Sequence, residues 1–343
     1  MKKIIVLLLC LCNAAIGFSQ SYFTVYGKVI SSDTRMPLQG ASVFAQNTTL
    51  GTATDAEGNF KLSLPDGGYN LVITFTGFQT ETKRINNADA NIKTVVYELA
   101  QKERQMEEVA VVATSEVKDG WNKYGQFFIE QFIGQTTNSA FCSIKNKEAV
   151  KFYFSKKRNR LKVLATEPIL IENRALGYNI QYSLDSFTHE YNTQVSLYTG
   201  YPLFEEMLTA DNDQQTKWMK ARQDVYKGSM LHFMRSLYNK TLQQQGFEVQ
   251  FVVEVNEKET TLSLKDFYAA LNYTKDDSTL LVEVKPNQLR VGVIYLKEKP
   301  TQAFINLYPG EPSDFQFSTL TFLPKESIGI EQNGYYFEQN DIT

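Results

Sequence analysis

The chain has 343 residues, of which 43% are hydrophobic and 13% aromatic, and its formal net charge is -3. It is long enough for two or three domains of roughly 100–200 residues each, and its abundant Tyr and Phe favour sheet over helix. The lack of a basic excess argues against a nucleic-acid partner, and no window reaches the roughly 18 apolar residues of a transmembrane helix.

Residues 1–19 have the pattern of a cleaved export signal. Two lysines precede the apolar run 4–11, and small residues follow it up to Ser19. The run is too short to remain as a membrane anchor, so we expect an exported protein without a transmembrane segment after cleavage. A lipid anchor is disfavoured because Cys10 and Cys12 both follow Leu rather than a small residue. Cleavage would leave Cys142 alone, so no intramolecular disulfide is expected.

Residues 20–99 are predicted to form a β-sandwich. Short runs with alternating apolar residues recur about every eight to twelve residues, and clusters of Gly, Pro and Asp separate them. The runs are VYGKVISS, ASVFAQN, GTATDAEGNF, FKLSLPDGGYNLVITFTGF and NIKTVVYEL.

The stretch GTATDAEGNF at positions 51–60 is interpreted as a strand, a hairpin turn and the start of the next strand. Asp55 can hydrogen-bond its own backbone, and Gly58 can adopt a positive φ at low cost. Asp55, Glu57 and Asn59 alternate as calcium ligands would, but the stretch lacks the later Gly and Glu of an EF-hand loop. No metal or cofactor site is therefore predicted.

Four spaced elements in this region resemble the carboxypeptidase-like regulatory domain. They are G-x-V, P-L-x-G-A-x-V, G-T-x-T-D-x-x-G-x-F and P-x-G-x-Y, in this order, within residues 26–99. The resemblance implies a seven-stranded prealbumin-like β-sandwich. It also implies a Gram-negative envelope protein, because such domains occur as accessory modules and ahead of TonB-dependent outer-membrane transporters.

The resemblance does not imply peptidase activity. A zinc carboxypeptidase needs an H-x-x-E pair in a separate catalytic domain, whereas Asn192 and Arg235 stand three residues after His189 and His232. The sequence also lacks G-x-S-x-G, P-loop, H-E-x-x-H and C-x-x-C motifs. We therefore predict that the protein is not an enzyme.

Residues 100–121 are predicted to be a linker. Within it, MEEVAVVAT resembles the TonB box and its flank, which act by β-augmentation, the pairing of an extended segment with the sheet edge of another protein. The candidate docking residues are Glu108, Val109, Val111 and Val112. An ordinary strand that joins two domains is the alternative interpretation. The residues that follow are too few for a transporter barrel of twenty or more strands.

Residues 122–343 are predicted to form an α+β domain, an antiparallel sheet with a helical insertion. Helical spacing appears in NKYGQFFIEQFIG and again between residues 203 and 245, where one apolar stripe joins Met219, Tyr226, Met230, Phe233 and Leu237. His232 beside this stripe is expected at a boundary with one hydrogen bond. Asn333 and Gly334 predict a tight hairpin turn.

The run LGYNIQYSLDSF predicts a strand with two different faces. Tyr178, Ile180, Tyr182 and Leu184 share one face, and Asn179, Gln181, Ser183 and Asp185 share the other. The polar strip beside Tyr198 and Tyr201 suits a glycan, although any half-exposed sheet shows the same pattern. Glu167, Glu172, Asp185 and Glu190 also leave a carboxylate-only hydrolase open, because two facing carboxylates suffice.

These patterns together predict a mainly β, exported and envelope-associated binding or scaffold protein. We expect it in the periplasm or at the outer-membrane periphery, with an outer-membrane transporter or a TonB-type protein as its partner. A glycan-binding surface protein and a carboxylate-only glycan hydrolase are the alternatives.

Overall fold

The computed structural model describes residues 21–89, 94–102 and 116–337. Over these ranges the protein is mainly β and packs around three large hydrophobic cores. No helix in the described ranges is long and apolar enough to cross a membrane. The docking candidates Glu108, Val109, Val111 and Val112 and the expected signal at 1–19 lie outside the described residues.

Seven strands form the predicted N-terminal β-sandwich. They are β1 (Tyr22–Ser31), β2 (Ser42–Ala45), β3 (Gly51–Ala53), β4 (Asn59–Pro65), β5 (Tyr69–Thr74), β6 (Glu81–Ile85) and β7 (Val95–Leu99), with a short 3-10 helix at Asn87–Asp89. One sheet has the order β4-β1-β7, with β1 and β7 parallel, and the other is antiparallel with the order β3-β2-β5-β6. The alternating apolar residues of β4, Phe60, Leu62 and Leu64, point into the core between the sheets.

The turn between β3 and β4 is held by Asp55. Its Oδ1 accepts hydrogen bonds from the backbone N–H groups of Glu57 (3.1 Å) and Asn59 (2.7 Å), and Gly58 has a φ of +78°. Since β3 and β4 belong to different sheets, the turn carries the chain across the sandwich, and the predicted hairpin is wrong at this point. In the described ranges no three His, Cys, Asp or Glu side chains are grouped to hold a metal.

The second core lies between one helix and an antiparallel sheet. The elements are α1 (Gly120–Phe132), β8 (Cys142–Ile144), β9 (Val150–Ser155), β10 (Arg160–Ala165), β11 (Ile169–Asn173), β12 (Tyr178–Glu190) and β13 (Val195–Glu206), with 3-10 turns at Ser139–Phe141 and Lys147–Ala149. β12 pairs along its length with β13 and, on its other side, with β11 and then β10. α1 buries Phe128 and Phe132 against this sheet.

A β-bulge at Asp185 changes the alternation of β12. The pairing with β13 shifts between Leu184 and Ser186. Tyr182 and Leu184 face the core before the bulge, as predicted, and Phe187 fills it after the bulge with no exposed surface. The extra residue therefore keeps both halves of the strand against one core and takes Asp185 out of the regular ladder.

The third core lies between two further sheets and short helices. The elements are α2 (Asn212–Tyr226), α3 (Met230–Tyr238), α4 (Leu242–Gln245), β14 (Phe247–Val255), β15 (Lys258–Ser263), α5 (Phe267–Ala270), β16 (Thr274–Asp276), β17 (Leu281–Val284), β18 (Arg290–Tyr295), α6 (Gln302–Leu307), β19 (Gln316–Thr321) and β20 (Ile328–Ile330). The sheets have the orders β15-β14-β18-β19 and β16-β17-β20. The predicted turn at Asn333 and Gly334 follows β20, with the Glu331 N–H donating to the Tyr335 carbonyl at 2.8 Å.

The prediction of one apolar stripe through residues 219–237 is wrong. Met219 is 53% exposed and α2 buries no side chain, whereas Phe233 and Leu237 of α3 are buried. Gly228, with a φ of +70°, separates the two helices, so their apolar positions do not share a face.

His232 is buried rather than at a boundary. Its Nδ1 accepts from the Gly228 N–H at 3.2 Å, and its Nε2 lies 3.2 Å from Gln245 Oε1. Burial lowers the pKa of His232, which keeps the ring neutral at neutral pH. We therefore assign His232 a structural role with two hydrogen bonds instead of one.

Candidate functional site

The sandwich packs on β13 through a small apolar contact. Phe44 and Val72 of the sandwich and Leu203 of β13 are all buried there, and Tyr201 packs at the edge. Gly51 permits this contact, because a Cβ at that position would collide with the Leu203 side chain. The packing fixes the β12–β13 hairpin against the sandwich.

Two polar contacts hold the same surfaces together. Thr74 Oγ1 lies 3.1 Å from Ser183 Oγ, and Lys102 Nζ lies 2.6 Å from Asp185 Oδ1. The bulge places the Asp185 carboxylate beside Lys102, which is the last residue described before position 116.

A buried carboxylate anchors the turn after β20 in the sandwich. Glu331 has no exposed surface and forms an ion pair with Arg84, while the amides of Asn70 (3.0 Å) and Asn333 (3.2 Å) donate to its two oxygens. Burial raises the pKa of Glu331 above its ordinary value of 4.5, more than Arg84 and Asn333 lower it. The Asn333 amide also donates to the Gln46 carbonyl at 3.1 Å, and the Gln332 amide donates to the Asp66 carbonyl at 3.3 Å, so three consecutive residues attach this turn to the sandwich.

A cleft of about 320 Å³ opens where these parts meet. Its volume lies at the lower end of the roughly 300–1,000 Å³ typical of small-molecule sites. The sandwich, the β12–β13 hairpin and the turn after β20 all line it, through Phe44, Gln46, Asn47, Tyr182, Asp185, Tyr198, Thr199, Gly200, Tyr201, Pro202 and Tyr335.

Two tyrosines enter this junction cleft from opposite faces of β13. They are three residues apart on one strand, and side chains alternate along a strand. The ring centroid of Tyr198 lies 5.3 Å from that of Phe132 in the second core, and that of Tyr201 lies 6.3 Å from that of Phe44. Gly200 between them carries no side chain, and a Cβ there would collide with the Tyr182 ring. The edge of β13 is therefore open between two supported aromatic rings.

The junction cleft is close to electrically neutral. Asp185 is the one charged side chain among the described residues that line it, and Lys102 pairs with it. Burial, together with the nearby Asp185 carboxylate, raises the pKa of Tyr201, and burial raises that of Tyr182. Both phenols are thus uncharged hydrogen-bonding groups at neutral pH.

Each carboxylate considered for hydrolysis has a partner in the fold. Glu190 pairs with Arg160, and Glu172 pairs with Arg174, whose hydrogen bond lowers the pKa of Glu172. Asp185 and Glu190 are five positions apart on β12, which is roughly 16 Å at about 3.3 Å per residue. The two catalytic carboxyl groups of a glycosidase lie about 5–10 Å apart. Glu167 accepts a hydrogen bond from Asn146 at 3.1 Å. The structure gives Asp185 and Glu190 no hydrolase geometry.

His189 and Ser196 are close, but their hydrogen bonds run in the wrong direction for a nucleophile. His189 Nδ1 lies 2.8 Å from Ser196 Oγ, which itself donates to Gln131 Oε1 at 2.8 Å. The histidine therefore donates to the serine, whereas an activating base would accept its proton. Burial lowers the pKa of His189.

Residues 25–111 match the CarboxypepD_reg-like domain family, and this segment is a domain of that class. The chain is similar to TonB-dependent receptor P3 of Formosa agariphila, with 30% identity over 118 residues, 34% of this chain and 11% of that protein. It is also similar to TonB-dependent receptor SusC of Bacteroides thetaiotaomicron, with 35% identity over 81 residues, 24% of this chain and 8% of that protein. The chain thus spans about a tenth of the length of these curated relatives.

Among solved structures, a DUF3823 family protein from Bacteroides ovatus aligns with 55% of this chain and 83% of its own chain. The identity is 14% and the TM-score 0.17.

Sequence reasoning found part of this site. The family match includes Glu108, Val109 and Val111 and ends before Val112, all outside the described residues. Tyr198 and Tyr201, which the sequence singled out for a glycan, do line the cleft. Phe44, Asn47 and Tyr335 were missed, because no local pattern shows that residues so distant along the chain meet.

Proposed function

We propose that the protein is an exported, envelope-associated binding or scaffold protein without enzymatic activity, which docks onto an outer-membrane transporter or a TonB-type protein. The observation that carries the proposal is its CarboxypepD_reg-like sandwich, in a chain that is similar to two TonB-dependent receptors, packed onto a second region through Phe44, Val72 and Leu203. The export pattern at 1–19 supports the location.

The proposed docking segment is the strip Glu108, Val109, Val111 and Val112. The chain is attached to the fold on both sides of residues 103–115, which contain this strip. Lys102 pairs with Asp185, and the Val117 N–H donates to the Phe152 carbonyl at 2.9 Å. A β-branched strip between two fixed points suits pairing with the sheet edge of a partner, in which backbone hydrogen bonds supply the affinity.

Val111→Asp should abolish partner capture without lowering the melting temperature. A charge in the strip opposes pairing with an apolar sheet edge, while the side chains of the cores described above are unchanged in this variant. The measurement is a crosslinked pull-down of the tagged protein from detergent-solubilised envelopes, with mass spectrometry of the captured proteins.

The matched control is Val96→Asp, which introduces the same charge at a 49% exposed valine of β7 and should keep the partner. Equal capture by wild type and Val111→Asp would contradict the docking segment. Failure of wild type to capture any transporter or TonB-type protein would contradict the proposed partner.

A further inference from the structure

We propose that the junction cleft binds a neutral glycan, with the rings of Tyr198 and Tyr201 stacking on sugar faces. This assignment rests on the proposed binding function and adds the site and the chemical class of its ligand. Most of the residues that would recognise the sugar lie outside the CarboxypepD_reg-like segment, on the β12–β13 hairpin.

The aromatic rings are placed as stacking surfaces. Tyr198 is 44% exposed, although its ring is supported by Phe132 and by Phe187, whose ring centroid is 6.3 Å away. An exposed ring held by buried neighbours loses little side-chain entropy when a ligand covers it. The apolar face of a pyranose ring can pack on such a surface, as other apolar groups do on aromatic rings.

Polar groups around the rings match the hydroxyl groups of a sugar. Asp185 offers carboxylate oxygens that accept hydrogen bonds, and Lys102 and the bulge hold it in place. Asn47 on the sandwich side supplies an amide that both donates and accepts. Pairs of such groups fix the orientation of a ligand whose every carbon carries a polar substituent.

The lining also disfavours other ligand classes. None of the described lining residues is Lys or Arg, so a phosphate or another anion would meet Asp185 without a cation inside the cleft. None is Leu, Ile, Val or Met, the side chains that would line a pocket for an aliphatic peptide residue. A neutral, polyhydroxylated ligand fits the remaining combination of tyrosines, amide and carboxylate.

The test is isothermal titration calorimetry of the full protein with neutral hexasaccharides of glucose, xylose and mannose. We expect at least one of them to bind wild type, and Tyr198→Ala to weaken that binding by about tenfold. Asp185→Asn should also weaken it, because an amide keeps the shape of the side chain but loses half of the acceptor capacity.

The control is Tyr308→Ala, which removes a tyrosine of similar exposure (54%) outside the cleft and should leave the affinity unchanged. No binding to wild type at millimolar sugar, or equal affinity of wild type and Tyr198→Ala, would overturn the proposal. Tyr198→Phe keeps the ring and its packing on Phe132 and Phe187, so we expect it to retain binding. An unchanged melting temperature of Tyr198→Ala separates the loss of the stacking surface from a folding defect. If the protein captures its envelope partner but binds no sugar, the assignment of the cleft is overturned, whereas the proposed docking function is not.

Discussion

Arg84→Met should lower the free energy of unfolding by about 3 kcal/mol at neutral pH, because it leaves the Glu331 carboxylate buried without its cation. This value is at the low end for broken buried ion pairs, since the Arg84 side chain is 32% exposed. Urea denaturation of both proteins measures the difference. The control is Arg35→Met, which removes an exposed partner of Glu98 in the same sandwich and should cost about 0–1 kcal/mol.

The loss in Arg84→Met should depend on pH. Burial raises the folded-state pKa of Glu331 above 4.5, and removal of Arg84 takes away the cation that opposes this shift. Protonated Glu331 thus favours the folded state. The stability that protonated Glu331 contributes is fully present below pH 4.5, the ordinary pKa of this carboxyl group. It is lost as the pH rises through the raised pKa of the folded state. The variant should therefore be less destabilised at mildly acidic than at neutral pH, and adding Glu331→Gln should remove most of this difference. A loss that is the same at both pH values would contradict a buried charge as its cause.

Leu203→Ala should destabilise the protein by about 3 kcal/mol. The side chain is 1% exposed and packs on Phe44 and Val72, so its loss leaves a cavity where the sandwich meets β13. Thermal or urea unfolding followed by circular dichroism measures the change.

Leu197→Ala is the matched control for this junction contact. It makes the same truncation on β13 at a side chain that is 65% exposed, and we expect a change within about 0.5 kcal/mol. Equal effects of the two substitutions would show that the sandwich and the hairpin are not joined through Leu203.

The sandwich could be predicted because its strands follow a local rule. In β4 each second residue is apolar and buried, and Asp55 and Gly58 mark the turn by their own chemistry. Asn333 and Gly334 likewise identify their turn from adjacent residues. The sheet that each strand joins is not a local property, so the sequence predicts a hairpin at Asp55 where the structure has a crossing between two sheets.

The junction could not be predicted, because its contacts join residues that are far apart in the chain. Arg84 and Glu331 are separated by 247 positions, and no periodicity in either segment indicates the other. The bulge at Asp185 leaves one trace in the sequence, the two consecutive polar residues Asp185 and Ser186 between Leu184 and Phe187, but such a pair also occurs where a strand simply ends. Residues 219–237 do have apolar residues at helical spacing, but they belong to two separate helices, α2 and α3. Gly228 separates these helices, so their apolar residues do not share one face.

The proposed function requires that this chain is exported and stays with the cell envelope. Fractionation of cells that express the C-terminally tagged chain, with mass spectrometry of its N-terminus, tests this most directly. We expect the tagged protein in the envelope fraction, with an N-terminus that begins near residue 20. An uncleaved chain in the cytosolic fraction would contradict the account.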